Sequence, residues 1–185
     1  MARYIQTDLP DVIIIEPTVF EDDRGSFFES YRREEFEERI GKLTFVQDNE
    51  SKSSYGVLRG LHYQLPPFAQ SKLVRVVEGM VLDVAVDIRR DGPTFGRHVA
   101  VELSGENRRQ LFIPRGYAHG FVVLSRAAIV QYKVDAYYSG KHERGLRYND
   151  PAIGIDWTIA PEEIILSEKD HNFPTLDEHS VSSVA

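Results

Sequence analysis

Apolar and polar positions alternate most clearly near residue 130. Ala128, Val130, Tyr132, Val134 and Ala136 fall on one side of an extended segment, and Gln131, Lys133 and Asp135 fall on the other. A period of two is the mark of a half-buried β-strand, here with a tyrosine hydroxyl set into the apolar face. Runs dominated by Val, Ile and Leu at 12–15, 73–77, 81–88, 99–103, 111–113 and 121–124 predict further strands, with 128–136 as the alternating one. Turn signals separate several of them: Glu78-Gly79, Arg90-Asp91-Gly92-Pro93, Ser104-Gly105-Glu106-Asn107 and Pro114-Arg115-Gly116. Short strands roughly ten residues apart point to an all-β sandwich or barrel. Helix is scarce. Segment 32–40 has Phe36 and Ile40 at i, i+4 with Gly41 as a stop, and 161–166 opens on Pro161 with two acids in its first turn. Neither is long enough to organise the fold.

Composition narrows the classes. With 42% hydrophobic and 28% charged residues, the 185-residue chain is neither disordered nor fibrous, and it reads as one domain over 1–185. It contains no Cys, which removes disulfides, zinc–thiolate sites, iron–sulfur clusters and cysteine nucleophiles together. The 22 basic residues against 29 acidic ones leave a net charge of −7, a poor match for duplex nucleic acid. The longest aliphatic run near the N-terminus, 12–15, is too short for a signal-peptide core or a membrane span. A soluble cytoplasmic protein is therefore expected.

Two segments carry chemistry. One runs from Gly56 through Arg59, His62 and Gln64 to Pro66-Pro67, Gln70 and Lys72; the other is Pro114-Arg115-Gly116-Tyr117-Ala118-His119-Gly120. Together they resemble the two motifs of a cupin, a double-sheet jelly-roll barrel. A metal-binding cupin has a second histidine where this chain has Gln64, and no Glu follows at short spacing. His62 and His119 alone are a poor ligand set for a divalent ion, so no metal is expected.

The resemblance extends to a particular family. Pro17 to Phe20, Asp23-Arg24-Gly25 with Phe27-Phe28-Glu29, Phe45 to Asn49, Val57 to His62, Lys72 to Arg75, Asp83 to Asp87, Pro93 to Gly96, Pro114 to Phe121, Tyr132-Lys133, Tyr137-Tyr138 and Leu166-Ser167 with Lys169-Asp170 appear in order along nearly the whole chain. In this the sequence is similar to the dTDP-4-dehydrorhamnose 3,5-epimerases. The resemblance implies an all-β jelly roll of cupin type with short flanking helices, acting without a cofactor on a dTDP-sugar. It also implies a homodimer in which an N-terminal strand, 11–19 here, is exchanged with the neighbour. Sister mono-epimerases or ketoisomerases, and a metal-binding or sugar-sensing cupin, are the alternatives.

Residue chemistry and resemblance together give the expected roles. His62 is the natural general base, since an imidazole titrates near ~6.5, although a structural histidine inside the barrel would look the same. The resemblance implies that Asp170 orients it, with Asp83 as a rival from a neighbouring strand. Lys72 would face the oxyanion formed when a proton leaves a carbon beside a ketone. Tyr132 would be the acid on the opposite face. Arg24, Arg59 and His119 read as anion binders for a diphosphate. Tyr138 is the stacking residue, and Phe20 and Phe27 are further aromatic candidates. Glu29, Gln47, Asp48, Asn49, Glu143 and Lys169 match polar ligand-binding positions.

Overall fold

The Val-, Ile- and Leu-rich runs pair into two antiparallel sheets in the computed structural model, which describes residues 2–178. In chain order the elements begin with β1 (Arg3–Gln6), β2 (Ile13–Glu16), β3 (Phe20–Asp22), β4 (Gly25–Phe27), α1 (Arg33–Arg39) and β5 (Gln47–Ser54). They continue with β6 (Leu58–Gln64), β7 (Lys72–Glu78), β8 (Met80–Asp87), β9 (His98–Ser104), β10 (Gln110–Ile113), β11 (Tyr117–Val123), β12 (Ala127–Val134) and β13 (Glu143–Gly145). A 3-10 turn (Pro161–Glu163) and α2 (Glu168–His171) complete the set. One sheet has the order β1-β2-β10-β7-β12-β5 and the other β13-β6-β11-β8-β9. From β5 onward the chain shuttles between the sheets, which is the connectivity of a double-sheet jelly roll.

Val74, Val76, Val81, Ala85, Leu103, Leu111, Phe121 and Val130 meet between the sheets. The outer faces are covered as well. Phe36 on α1 packs on Ile15, Leu73 and Phe112 of the six-stranded sheet. Ile153, Trp157 and Leu176 of the C-terminal segment lie against Leu58, Leu82, Val84 and Val86 of the five-stranded sheet. β8 is thus buried on both faces, which is why its sequence reads as an apolar run, interrupted by Asp83 and closed by Asp87, rather than an alternating one.

Two expected elements differ from the sequence reading. Segment 161–166 is helical only over Pro161–Glu163. Beyond it the backbone is captured by β6's entry: the Ile165 amide donates to Gly56 O at 2.8 Å, and the Leu58 amide donates to Ile165 O at 2.9 Å. β12 ends at Val134, and beyond it the Asp135 carboxylate takes the place of a ladder carbonyl, accepting from the Ser71 amide at 2.6 Å and from Arg115 at 3.0 Å.

In the chain itself β2 pairs on both edges, with β1 and with β10. β1 is an edge strand of the six-stranded sheet, and the β3–β4 hairpin stands apart from both sheets. Among the described residues, no helix is long and apolar enough to cross a membrane.

Candidate active site

The polar residues of the interior gather at one end of the jelly roll, between β5, β7 and β12 of one sheet and β6 and β13 of the other. His62, Gln64, Lys72, Tyr132, Tyr138, Glu143, Gln47 and Asn49 line a cavity of about 220 Å³ there. Strand register explains the grouping. Tyr132 stands opposite Asn49 on β5 and Val74 on β7, and Val134 stands opposite Gln47 and Lys72. Cross-strand partners share a face, so Gln47, Asn49, Lys72 and Tyr132 all look inward. From the other sheet, His62 stands opposite His119 on β11 and Gly145 on β13.

His62 is held firmly. Its Nε2 lies 2.7 Å from Asp170 Oδ1, and its ring meets the Phe173 ring edge-on at 5.6 Å. Asp170 is 3% exposed, in a short helix whose N-cap, Ser167, accepts from the Asp170 amide at 3.2 Å. Burial pushes the Asp170 carboxyl up, but His62, Ser167 and the Gly60 amide outweigh it and hold it below the ordinary carboxylate range. Asp83, the rival, serves a different histidine: its Oδ1 lies 2.9 Å from His119 Nε2. His119 lies behind Lys72, 5% exposed, with its Nδ1 3.4 Å from Lys72 Nζ. Within the chain the side-chain contacts of His119, expected from the sequence as an anion binder, are Lys72 and Asp83. Burial pulls the Lys72 ammonium down to about 8, against the opposing pull of Asp83 and Glu143. Burial raises the Tyr132 hydroxyl above its ordinary value; Arg59 opposes that shift and Glu143 adds to it.

A second layer organises the cavity's rim. Glu143 accepts from the Tyr138 hydroxyl at 2.8 Å and from Lys169 Nζ at 2.7 Å. Burial pushes Glu143 up, but Lys169 and Tyr138 bring it below its ordinary range. The Tyr138 amide donates to Gln47 Oε1, and Gln47 Nε2 donates to Asn49 Oδ1 at 2.8 Å. Arg59 Nε donates to Ser53 Oγ at 3.1 Å, placing a guanidinium beside the inner face of β5. The Tyr138 ring itself is 58% exposed, an aromatic face presented to solvent at the cavity mouth.

The other expected site residues lie elsewhere in the chain. Asp48 is on the far face of β5, paired with Lys133 at 2.9 Å, because the strand's period of two turns it away from its neighbours Gln47 and Asn49. Within the chain its side chain forms a surface ion pair. Phe20, Phe27 and Arg24 form the β3–β4 hairpin, with Phe20 opposite Phe27 and both rings about two-thirds exposed. Arg24 pairs with Asp22, and Glu29 pairs with Arg32 at 2.7 Å. None of these four lines the His62 cavity of its own chain.

Sequence reasoning missed two participants. Gln64, noted only as a lost metal ligand, has a full hydrogen-bond set: Nε2 donates to Phe68 O and Tyr137 O, and Oε1 accepts from the Ser139 amide at 2.6 Å. It pins the segment that carries Tyr138. Phe173 fills the space over Gly145, where any Cβ would strike its ring, and so walls in His62. Nothing in its sequence context marks it; the glycine opposite is the sole signal. Among the described residues, no cluster of three His, Asp or Glu side chains could hold a metal ion.

Residues 6–178 match the family model described as dTDP-4-dehydrorhamnose 3,5-epimerase. The enzyme of that name from Shigella flexneri is 57% identical over 169 residues, covering 91% of this chain and 92% of its own. The crystal structure of dTDP-4-dehydrorhamnose 3,5-epimerase from Elizabethkingia anophelis NUHP1 superposes with a TM-score of 0.93 at 51% identity, over 97% of this chain and 99% of that one. A dTDP-6-deoxy-D-glucose-3,5-epimerase from Legionella pneumophila Philadelphia 1, solved in complex with dTDP-4-keto-L-rhamnose, gives 0.93 at 48% identity, over 96% and 94%.

Proposed function

The chain belongs to the dTDP-4-dehydrorhamnose 3,5-epimerase family, and from that premise we propose which residues move the protons. The reaction inverts C3 and C5 of dTDP-4-dehydro-6-deoxy-D-glucose and gives dTDP-4-dehydro-L-rhamnose. Both carbons flank the C4 ketone, so one enolate-forming apparatus serves both, and the carbonyl is the electron sink. Inversion requires a proton to leave one face of the sugar and another to arrive on the opposite face. The observation that carries the assignment is that His62 and Tyr132 line one cavity from two different sheets.

His62 is the base. Asp170 takes the Nε2–H, so Nδ1 holds the lone pair that removes the substrate proton. The C–H electron pair moves onto the C4 oxygen, where the Lys72 ammonium faces the developing charge in a largely dry site. Tyr132 O–H then gives its proton to the carbon from the other side and the ketone re-forms. Tyr138 stacks on the nucleobase, Arg59 takes the diphosphate, and Gln47, Asn49, Glu143 and Lys169 order the rim.

The same reading gives the β3–β4 hairpin a use. Two phenyl rings and an arginine are exposed together, away from their own chain's cavity. In a homodimer they would close over the neighbouring copy's dTDP site, where the resemblance expects Arg24, Phe20, Phe27 and Glu29 to act. A cytoplasmic place of work suits a fold that uses no disulfide. The deciding experiment is turnover of dTDP-4-dehydro-6-deoxy-D-glucose in heavy water, followed by proton NMR. The expected product carries deuterium at C3 and C5 with both centres inverted. Inversion at one centre alone would sink the two-site reading.

A further inference from the structure

Lys72 begins β7 in the six-stranded sheet, yet its ammonium ends against the five-stranded one. Nζ lies 3.4 Å from His119 Nδ1 and 3.5 Å from the His62 carbonyl oxygen. On its far side the His119 ring places Nε2 2.9 Å from Asp83 Oδ1. Asp83 is fully buried, and its second oxygen, Oδ2, meets no protein donor. The three side chains thus form a line from β8 through β11 to β7, crossing from one sheet to the other.

The chemistry of the line allows one arrangement. An ammonium only donates and a carboxylate only accepts, whereas a neutral imidazole does one of each. Both contacts are satisfied when His119 carries its proton on Nε2, donates to Asp83 and receives Lys72 at Nδ1. A proton on Nδ1 would set two donors against each other and leave Asp83 without one. An imidazolium would press a second positive charge against the ammonium.

We propose that Asp83 is a positioning residue of this enzyme: it fixes His119 as the Nε2–H tautomer, and His119 in turn aims the Lys72 ammonium into the cavity. This rests on the reading of Lys72 as the group that faces the enolate oxygen. The other titratable groups lining the cavity with Lys72 are His62 and Tyr63 from β6, Glu143 from β13, Tyr132 from β12 and Tyr138 beyond it. Burial draws the ammonium down, and Asp83 and Glu143 work against it. Burial also draws His119 down; Asp83 opposes this, and Lys72 and His62 add to it. A neutral ring between the two charges agrees with both directions. Asp83 touches no reacting group: its hydrogen bond goes to His119, and its charge also supports the Lys72 ammonium through space.

The test compares two variants and the native protein. Asp83→Asn keeps the shape and an oxygen able to accept Nε2–H, but removes the charge that favours the ammonium. The alkaline limb of kcat against pH should then move down by about one unit, with KM little changed. Tyr132, raised above its ordinary value, does not titrate in that range. Lys72→Met serves as the reference. If Lys72→Met keeps wild-type turnover, the reading of Lys72 fails. If Lys72→Met is inactive while Asp83→Asn keeps the wild-type limb, the role of Asp83 fails. Side-chain nitrogen NMR of the native enzyme decides the case even if Asp83→Asn does not fold. His119 should show a protonated Nε2 and a bare Nδ1 across neutral pH. An Nδ1–H ring or an imidazolium would overturn the proposal.

Discussion

His62 Nε2 and Asp170 Oδ1 lie 2.7 Å apart although 108 residues separate them in the chain. The proposed base comes from a sheet strand, and the carboxylate that would orient it from a four-residue helix near the C-terminus. The contact therefore forms only when the C-terminal segment has packed across the outer face of the five-stranded sheet.

Removing the base should stop enolate formation at both carbons. His62→Asn is expected to abolish deuterium uptake at C3 and at C5, with turnover down by about 10²–10⁴-fold or more. Asp170→Asn keeps the bulk but lets the amide present either a donor or an acceptor to the ring, so the tautomer is no longer fixed. It should slow exchange at both carbons in parallel. Rapid exchange by His62→Asn, measured by proton NMR in heavy water, would point to another base.

Lys72 should trade activity against stability. Burial draws its ammonium down to about 8 in the folded protein, from an ordinary lysine value of 10.5. Between those values the unfolded chain binds more protons, so stability rises with pH across that window. Below it the folded state carries the full cost of the buried charge. Lys72→Met should therefore raise the melting temperature at neutral pH, by an amount corresponding to up to about 3 kcal/mol. Turnover should fall by orders of magnitude while dTDP affinity holds. In the wild type, kcat should decline as pH rises through about 8, where the ammonium is lost. A collapse of dTDP binding in Lys72→Met would make Lys72 a phosphate ligand instead.

How much of this was legible in the sequence follows from what each residue packs against. β8 shows because both of its faces are buried in apolar surroundings, and β12 shows because only one is. β5 has no apolar residue at all, and the run Gln47–Ser54 looks like a loop. It is an edge strand whose inner face borders the cavity, so its alternation is polar against charged rather than apolar against polar. The same pleat separates Asp48 from Gln47 and Asn49, a distinction that a contiguous motif hides. His62 and Asp170 could be paired from the resemblance, because both sit in recognisable motifs. The choice between Asp170 and Asp83 needed the sheet register, which turns Asp83 toward His119. Phe173 stayed invisible because its role depends on a missing side chain at Gly145 across the fold.

Gln64 should prove structural, and the reaction metal-independent. Its amide is fully used on Phe68, Tyr137 and Ser139. Gln64→Ala leaves buried backbone groups without partners, at a cost of about 1–3 kcal/mol each for those that water cannot reach. The loosened segment carries Tyr138, so KM should rise more than kcat falls. Exhaustive chelation should leave wild-type activity unchanged. A large loss restored by one divalent metal would contradict the proposed chemistry.

Tyr132 allows acid and base to be separated. A single group on one face of the sugar can remove a proton and return it only with retention. Inversion needs a donor on the other face, and Tyr132 reaches the cavity from the sheet opposite His62. Its hydroxyl, raised by burial, keeps its proton at working pH and can donate it. Tyr132→Phe removes the proton but keeps the ring on the apolar face of β12, beside Val130 and Val134, so the fold should survive. His62, Asp170 and Lys72 remain, so the enolate should still form. The variant should therefore exchange substrate protons with deuterium while giving little inverted sugar, a split that proton NMR reads in one experiment. Normal epimerisation by Tyr132→Phe would exclude the tyrosine as the acid. Loss of exchange as complete as in His62→Asn would instead assign the hydroxyl to enolate formation, and the face-to-face arrangement of the two sheets would need another proton donor.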